Sequence, residues 1–335
     1  MGAKSRNRKS RKENKLQDKA TTINRKLPKF LLFLAVTVVV IGVIFAFTKK
    51  QSSSNWGELN HQLPQATTTN DFQQRLEIID YILQSMKGVV DKTQDEEARK
   101  LYNFLNLNYV LARVGKFDPG HNAWTIDLSS KDGRKINQLP KDKVGIYVVM
   151  GEDQTNENRE FFQKERLLDR TFFHQNVGTF FISYGWVINY SSPMMGIIML
   201  HETKHAQQRI TSGRINQNEQ DMLRHEVEAY LFETGLIGKL LGPEYYKIRD
   251  KMSSEIEINF SQIVPPEISF NPYFNISHKE ELKKILWPIK GQNELDLVYW
   301  LTGIDAMLTL ANKSVQPNDI ANLQLSIIKY FSNKH

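Results

Sequence analysis

The sequence predicts an α+β fold: a small sheet packed against one apolar helix, preceded by an N-terminal transmembrane helix and flanked by helical regions. Three observations carry this prediction. Residues 30–48 form an apolar run without a charge. Short β-branched and aromatic runs lie ahead of a second apolar stretch, residues 194–200. That stretch leads directly into His201-Glu202-Thr203-Lys204-His205, an HExxH motif.

The first run, FLLFLAVTVVVIGVIFAFT, would be about 28 Å long as a helix, close to the roughly 30 Å of a bilayer core. Eleven Lys and Arg residues crowd residues 1–29 against Glu13 and Asp18, a net +9. The whole chain carries +7, so the rest is at −2. The positive-inside rule then predicts a cytoplasmic basic tail (1–29), a single-pass signal anchor (30–48), and a body in the periplasm or outside the cell. A near-neutral body argues against a nucleic-acid partner. With 335 residues and 40% apolar content the chain can bury a sizeable core. Cysteine is absent, which excludes disulfides, thiolate metal sites and Cys nucleophiles together.

Residues 49–70 are rich in Ser, Thr, Asn and Gln and read as a polar linker. Phe72, Leu76, Ile79, Leu83, Met86 and Val90 follow at alternating steps of four and three, a helical period. A second helix is predicted from about Glu97 to Arg113, giving a helical hairpin over residues 71–119. The character changes near Gly120, and residues 120–262 are predicted as the catalytic domain. VGIYVVM (144–150), TFFIS (179–183) and WVINY (186–190) read as strands, the last two joined by a turn at Tyr184-Gly185. Residues 157–169 read as a charged helix. Ser191-Ser192-Pro193 supplies an N-cap and a first-turn Pro for the motif helix. A second strong helix runs from about Asn218 to Leu241 and stops at Gly242-Pro243. Residues 263–335 are predicted to be a C-terminal helical region.

Residues four apart on a helix share a face, so His201 and His205 can present two imidazoles to one ion. With His201 at 0°, Met194, Ile197, Ile198 and His205 fall within about 60°, so the histidine face is the buried one. Zinc at a catalytic centre takes three protein ligands and leaves one position open for water. The Gly and His that extend the motif in metzincins are replaced by Gln208 and Thr211. The third ligand is therefore expected on the next helix, where His225, Glu226 and Glu228 are available. Glu226 shares a stripe with Met222, Leu223, Ala229, Tyr230 and Ile237, whereas Glu228 lies about 200° away beside Asp221 and Arg224. Glu226 is the expected ligand, because a carboxylate on an apolar stripe needs a compensating charge. Glu233, one heptad further on, is a candidate to support a ligand from behind.

HExxH followed by a downstream glutamate helix resembles the gluzincin branch of the zincin metallopeptidases. Within it, Glu226-Val227-Glu228-Ala229-Tyr230 is similar to the Glu-x-x-Ala-Asp signature of some membrane-associated zinc peptidases, with Tyr230 in the position of the Asp. The resemblance implies a zincin-like domain, a Zn2+ held by His201, His205 and Glu226, and Glu202 as general base. It implies a membrane-anchored zinc metallopeptidase acting on a peptide or protein substrate. His225, Tyr230, Tyr245 and Tyr246 are all available to stabilise an oxyanion, and one of the strands in 179–190 is expected to pair with an extended substrate. Two other readings compete: a bitopic membrane scaffold with a structural or degenerate zincin-like domain, and a zinc hydrolase of cell-wall amide bonds.

Overall fold

A computed structural model describes residues 56, 59, 71–114, 124–126, 142–150, 153, 163, 170–175, 178–212, 219–260, 276–286 and 289–314. All of them belong to one compact unit, residues 54–335.

The first two helices among the described residues are α1 (Asp71–Thr93) and α2 (Glu96–Asn108), which pack on each other. Ile78, Ile79, Ile82, Met86, Val89 and Val90 line the buried face of α1, as the four-three spacing dictates. Gln94, with φ 51°, breaks α1, and its N–H reaches back to the Val90 carbonyl at 2.9 Å. Asp95 then caps α2 by accepting the Ala98 N–H at 2.9 Å. The second helix is shorter than its sequence suggested. From Tyr109 the chain is strand β1 (Tyr109–Val114), because Tyr109, Val110 and Leu111 find parallel partners in Val144, Gly145 and Ile146.

Four more short strands follow: β2 (Trp124–Ile126), β3 (Val144–Val149), β4 (Phe172–His174) and β5 (Thr179–Ser183). The sheet order is β2-β1-β3-β5-β4, parallel except for the antiparallel β4–β5 pair. Every residue of β3 and β5 is buried, the pattern of strands covered on both faces. Arg75 of α1 closes the end of β3: it donates to the Val148 carbonyl and pairs with Asp153 at 2.8 Å.

The remainder is helical: α3 (Tyr184–Asn189), α4 (Ser192–Ser212), α5 (Glu219–Leu241), α6 (Pro243–Phe260), α7 (Ile276–Ile285) and α8 (Gln292–Ser314). Helix α4 is the hub. It packs on α1, α2, α5 and β4, while α8 packs on α5, α6 and α7. Gly242, at φ 79°, ends α5, and Pro243 starts α6, the expected Gly-then-Pro punctuation.

The fold class is corrected by this arrangement. In place of an α+β zincin-like domain with a transmembrane helix, the described chain is predominantly helical, with a small sheet whose longest strands have six residues. Residues 186–190 are not a strand. They lie in α3 and its last flank, where Trp186 and Tyr190, four residues apart, meet in a tilted contact at 5.0 Å and Val187 alone is buried. A five-residue apolar run fits either period, and the Tyr184-Gly185 signal marks a helix start instead of a hairpin. Among the described residues no helix is long and apolar enough to cross a membrane. The apolar run 30–48, the basic tail, the charged segment 157–169 apart from Gln163, and the last segment of the C-terminal region, 315–335, lie outside the described residues.

Candidate metal centre

The apolar residues 194–200 are buried on every side of α4, so the helix is held rigidly as it reaches His201 and His205. Both histidines are buried as well. Their Nε2 atoms face each other at 3.1 Å. Their other ring nitrogens are engaged elsewhere. His205 Nδ1 meets Gln208 Oε1 at 3.0 Å. His201 Nδ1 stands 2.8 Å from Glu233 Oε2, a charge contact that is not aligned as a linear hydrogen bond. Carbonyl and carboxylate oxygens only accept, so both Nδ1 atoms are the protonated ones in neutral rings. With both rings in that neutral form, the two Nε2 lone pairs would converge on one point, where a proton or a cation can sit between them.

Glu226 Oε2 completes a triangle, 3.5 Å from His205 Nε2 and 4.0 Å from His201 Nε2. Ligands of a tetrahedral zinc at 2.0–2.1 Å lie about 3.3 Å apart. The three observed separations bracket that value, and these residues could hold a metal ion. Glu228 is not part of the group. It is exposed, accepts from Gln208 Nε2 at 3.2 Å and sits 3.9 Å from Arg224. Glu226 and Glu228 thus point different ways, but the apolar stripe does not bury Glu226. The Glu226 side chain is 41% exposed and reaches into a cleft, whereas the buried carboxylate of the stripe is Glu233, 6% exposed.

The field of the carboxylates shows in the histidines. Burial works against a charged His201, but the facing Glu233 outweighs it and pushes the ring up to about 9. His205 is likewise raised: burial opposes it and Glu226 prevails. Glu202 is raised by its burial, against the pull of both histidines and of the Phe173 N–H, which donates to Glu202 Oε2 at 2.7 Å.

His201, Glu202, His205, Glu226, Tyr230 and Glu233 all line one cavity of about 690 Å3. Of the four possible oxyanion donors only Tyr230 lines it. Tyr245 is fully buried and donates to Asp305 at 3.0 Å. The Tyr246 hydroxyl packs over Gly238. His225 lies beside Glu228. The expectation for substrate pairing also shifts: β5 has neighbours on both sides, and β4 is the edge strand beside the site. Two groups escaped sequence reasoning. Gln208 holds His205, and its three-residue spacing from His205 on one helix was the available signal. The Phe173 backbone N–H left no trace in the side-chain pattern.

The chain matches no protein-family model, no curated protein and no solved structure. The likeness to gluzincins therefore rests on the motif residues alone.

Proposed function

We propose that the chain is a zinc-dependent metallopeptidase that hydrolyses peptide bonds at the His201–His205–Glu226 group. The observation that carries this reading is the pair of Nε2 atoms at 3.1 Å, each turned inward by an acceptor behind its ring. Zinc held there would polarise the scissile carbonyl and acidify a water molecule. Glu202 is the base: its carboxylate takes the water's proton as oxygen adds to the carbonyl carbon, and returns it to the amine as the C–N bond breaks. Its raised pKa suits a group that must hold that proton briefly. The Phe173 N–H fixes one carboxylate oxygen of Glu202. Glu233 and Gln208 fix the two imidazoles. Tyr230, which lines the cavity, is the residue we assign as donor to an oxyanion.

The test is the purified full chain, metal-loaded, on a mixed peptide library. Wild type is expected to bind one zinc and cleave peptides. Glu202→Ala is expected to bind the same zinc and cleave none. Equal cleavage by Glu202→Ala overturns the mechanism, and stoichiometric zinc without turnover in wild type returns the site to a structural role.

A further inference from the structure

We infer that the cavity beside the histidines is a subsite for a bulky, uncharged apolar side chain of the substrate, with Trp300 and Leu297 as its specificity-determining walls. This deepens the peptidase reading and rests on it for the word substrate. Phe172, Trp186, Tyr190, Tyr230, Leu297 and Trp300 line the cavity together. Each is only partly buried, although residues of this size are ordinarily covered when a core has room for them. They come from β4, α3 and the residue that follows it, α5 and α8, and the chain has thus gathered half-covered apolar surface at one place. They are also held in position. Tyr230 meets His201 edge-on at 5.0 Å and Trp300 at 5.9 Å, and Trp186 meets Tyr190 in a tilted contact at 5.0 Å. A rigid apolar wall next to converging polar groups is the ordinary composition of a ligand pocket, and 690 Å3 falls within the roughly 300–1,000 Å3 such pockets span.

The charges in the cavity narrow the occupant. Glu202, Glu226, Glu233 and Asp296 line it beside Arg170, His201 and His205; the histidines face Glu233 and Glu226 and Arg170 lies over the Phe172 ring, so an acidic side chain gains little. Asp296 is already paired with Lys279, and Glu233 with His201, which leaves little to reward a basic one. A Phe- or Leu-sized group gains from burial without such pairing. Complete burial of such a side chain corresponds to about a 10-fold to 150-fold gain in affinity.

The experiment separates binding from turnover. Blocked peptides, uncharged apart from one varied residue (Phe, Ala, Asp or Lys), are titrated by calorimetry into full-length, zinc-loaded Glu202→Ala protein. The Phe peptide is expected to bind at least 10-fold more tightly than the Ala peptide. Adding Trp300→Ala is expected to cut that preference below 3-fold. Adding Leu297→Trp, which fills the cavity without removing a wall, is expected to weaken the Phe peptide selectively, and it keeps the test sound should Trp300→Ala fail to fold. Equal affinity for Phe and Ala, or tighter binding of Asp or Lys, overturns the subsite. Wild-type turnover is scored separately: a Phe preference in binding without any hydrolysis keeps the subsite and removes the peptidase.

Discussion

Glu233 Oε2 lies 2.8 Å from His201 Nδ1, with both side chains under a tenth exposed. The carboxylate sits one heptad beyond Glu226, on the turn of α5 that follows Tyr230. In the signature this segment resembles, the residue in the position of Tyr230 is an Asp that orients a ligand histidine. Here the carboxylate beside His201 comes from two turns beyond Glu226, and Tyr230 sets its aromatic ring against His201. Glu233→Ala is expected to lower zinc affinity about 10-fold to 100-fold, the usual effect of removing a partner behind a metal-bound histidine. Glu233→Gln, which keeps an acceptor but no charge, falls between. Chelator competition measures both, and an unchanged affinity in Glu233→Ala would remove Glu233 from the site.

Two glycines on helices should respond oppositely to alanine. A Cβ on Gly196 of α4 would lie 2.5 Å from the Ser85 carbonyl oxygen of α1, backbone that has no freedom to turn away. The close approach is reinforced by the Ser85–Ser192 hydroxyl pair at 2.8 Å. Gly196→Ala should therefore cost about 1–3 kcal/mol despite its better helix propensity. Nothing lies within 4 Å of a Cβ on Gly235, so Gly235→Ala should stabilise by up to about 1 kcal/mol. Denaturant titration of the two variants checks the contrast, and equal signs would refute it.

Glu294 is fully buried and joins three distant parts of the chain. It accepts from Trp56 Nε1 at 3.1 Å, from Ser191 N at 3.1 Å, from the Ser191 hydroxyl, and from Lys290 N at 2.7 Å. Ser191 is the residue just ahead of α4, so this carboxylate fixes where the histidine helix begins. Glu294→Ala leaves four donors without their acceptor, each worth about 1–3 kcal/mol. A loss of at least about 3 kcal/mol in unfolding free energy is expected, with Glu294→Gln milder. A loss below about 1 kcal/mol would show that water replaces the carboxylate.

The uneven legibility of these features has a physical basis. The site lies on helices whose periodicity is long and strong, so the faces of α4 and α5 could be computed from residue number, and Glu226 parted from Glu228 on that basis. Side-chain geometry was invisible: that Glu226 faces a cleft while Glu233 is buried depends on how α5 meets α4. Short segments failed for a different reason. Residues 186–190 and 109–114 are too brief for period to decide between helix and strand, and the parallel partner that makes Tyr109 a strand residue is 35 positions away. Glu294 could not be found at all, since its partner Trp56 is separated by 238 residues.

The Asp305 carboxyl should give stability a measurable pH dependence away from the metal group. Burial raises its pKa above the ordinary 3.8, against the pull of Arg249 and the Tyr245 hydroxyl. The folded state therefore binds this proton more tightly than the unfolded chain. By linkage, the contribution of this group is largest below 3.8, falls as pH rises through the folded-state pKa, and is level above it. Asp305→Asn removes that slope while its amide oxygen still accepts from Tyr245. Relative to wild type, the variant should gain stability between roughly pH 3 and pH 7. Denaturant midpoints across that range measure it, and a difference that shrinks as pH rises would reverse the sign assigned to Asp305.

Glu226 and Glu228 provide the sharpest test of the metal group, because they lie two residues apart on one helix and differ only in direction. Glu226→Gln should weaken zinc binding strongly, since it removes the one anionic member of the triangle at 3.5 Å and 4.0 Å from the two Nε2 atoms. Glu228→Gln should leave zinc affinity within about 3-fold, since its carboxylate serves Gln208 and Arg224 at the surface. The same pair predicts the thermal response to metal. Zinc at 100 times its dissociation constant stabilises a folded state that alone binds it by about 2.7 kcal/mol, so wild type and Glu228→Gln should both melt higher with zinc and lower after chelation. Glu226→Gln should show little of that shift at the same zinc concentration. If instead Glu228→Gln abolishes the shift and Glu226→Gln retains it, the third ligand is the solvent-side glutamate, and α5 must turn by about half a revolution from the structure described here.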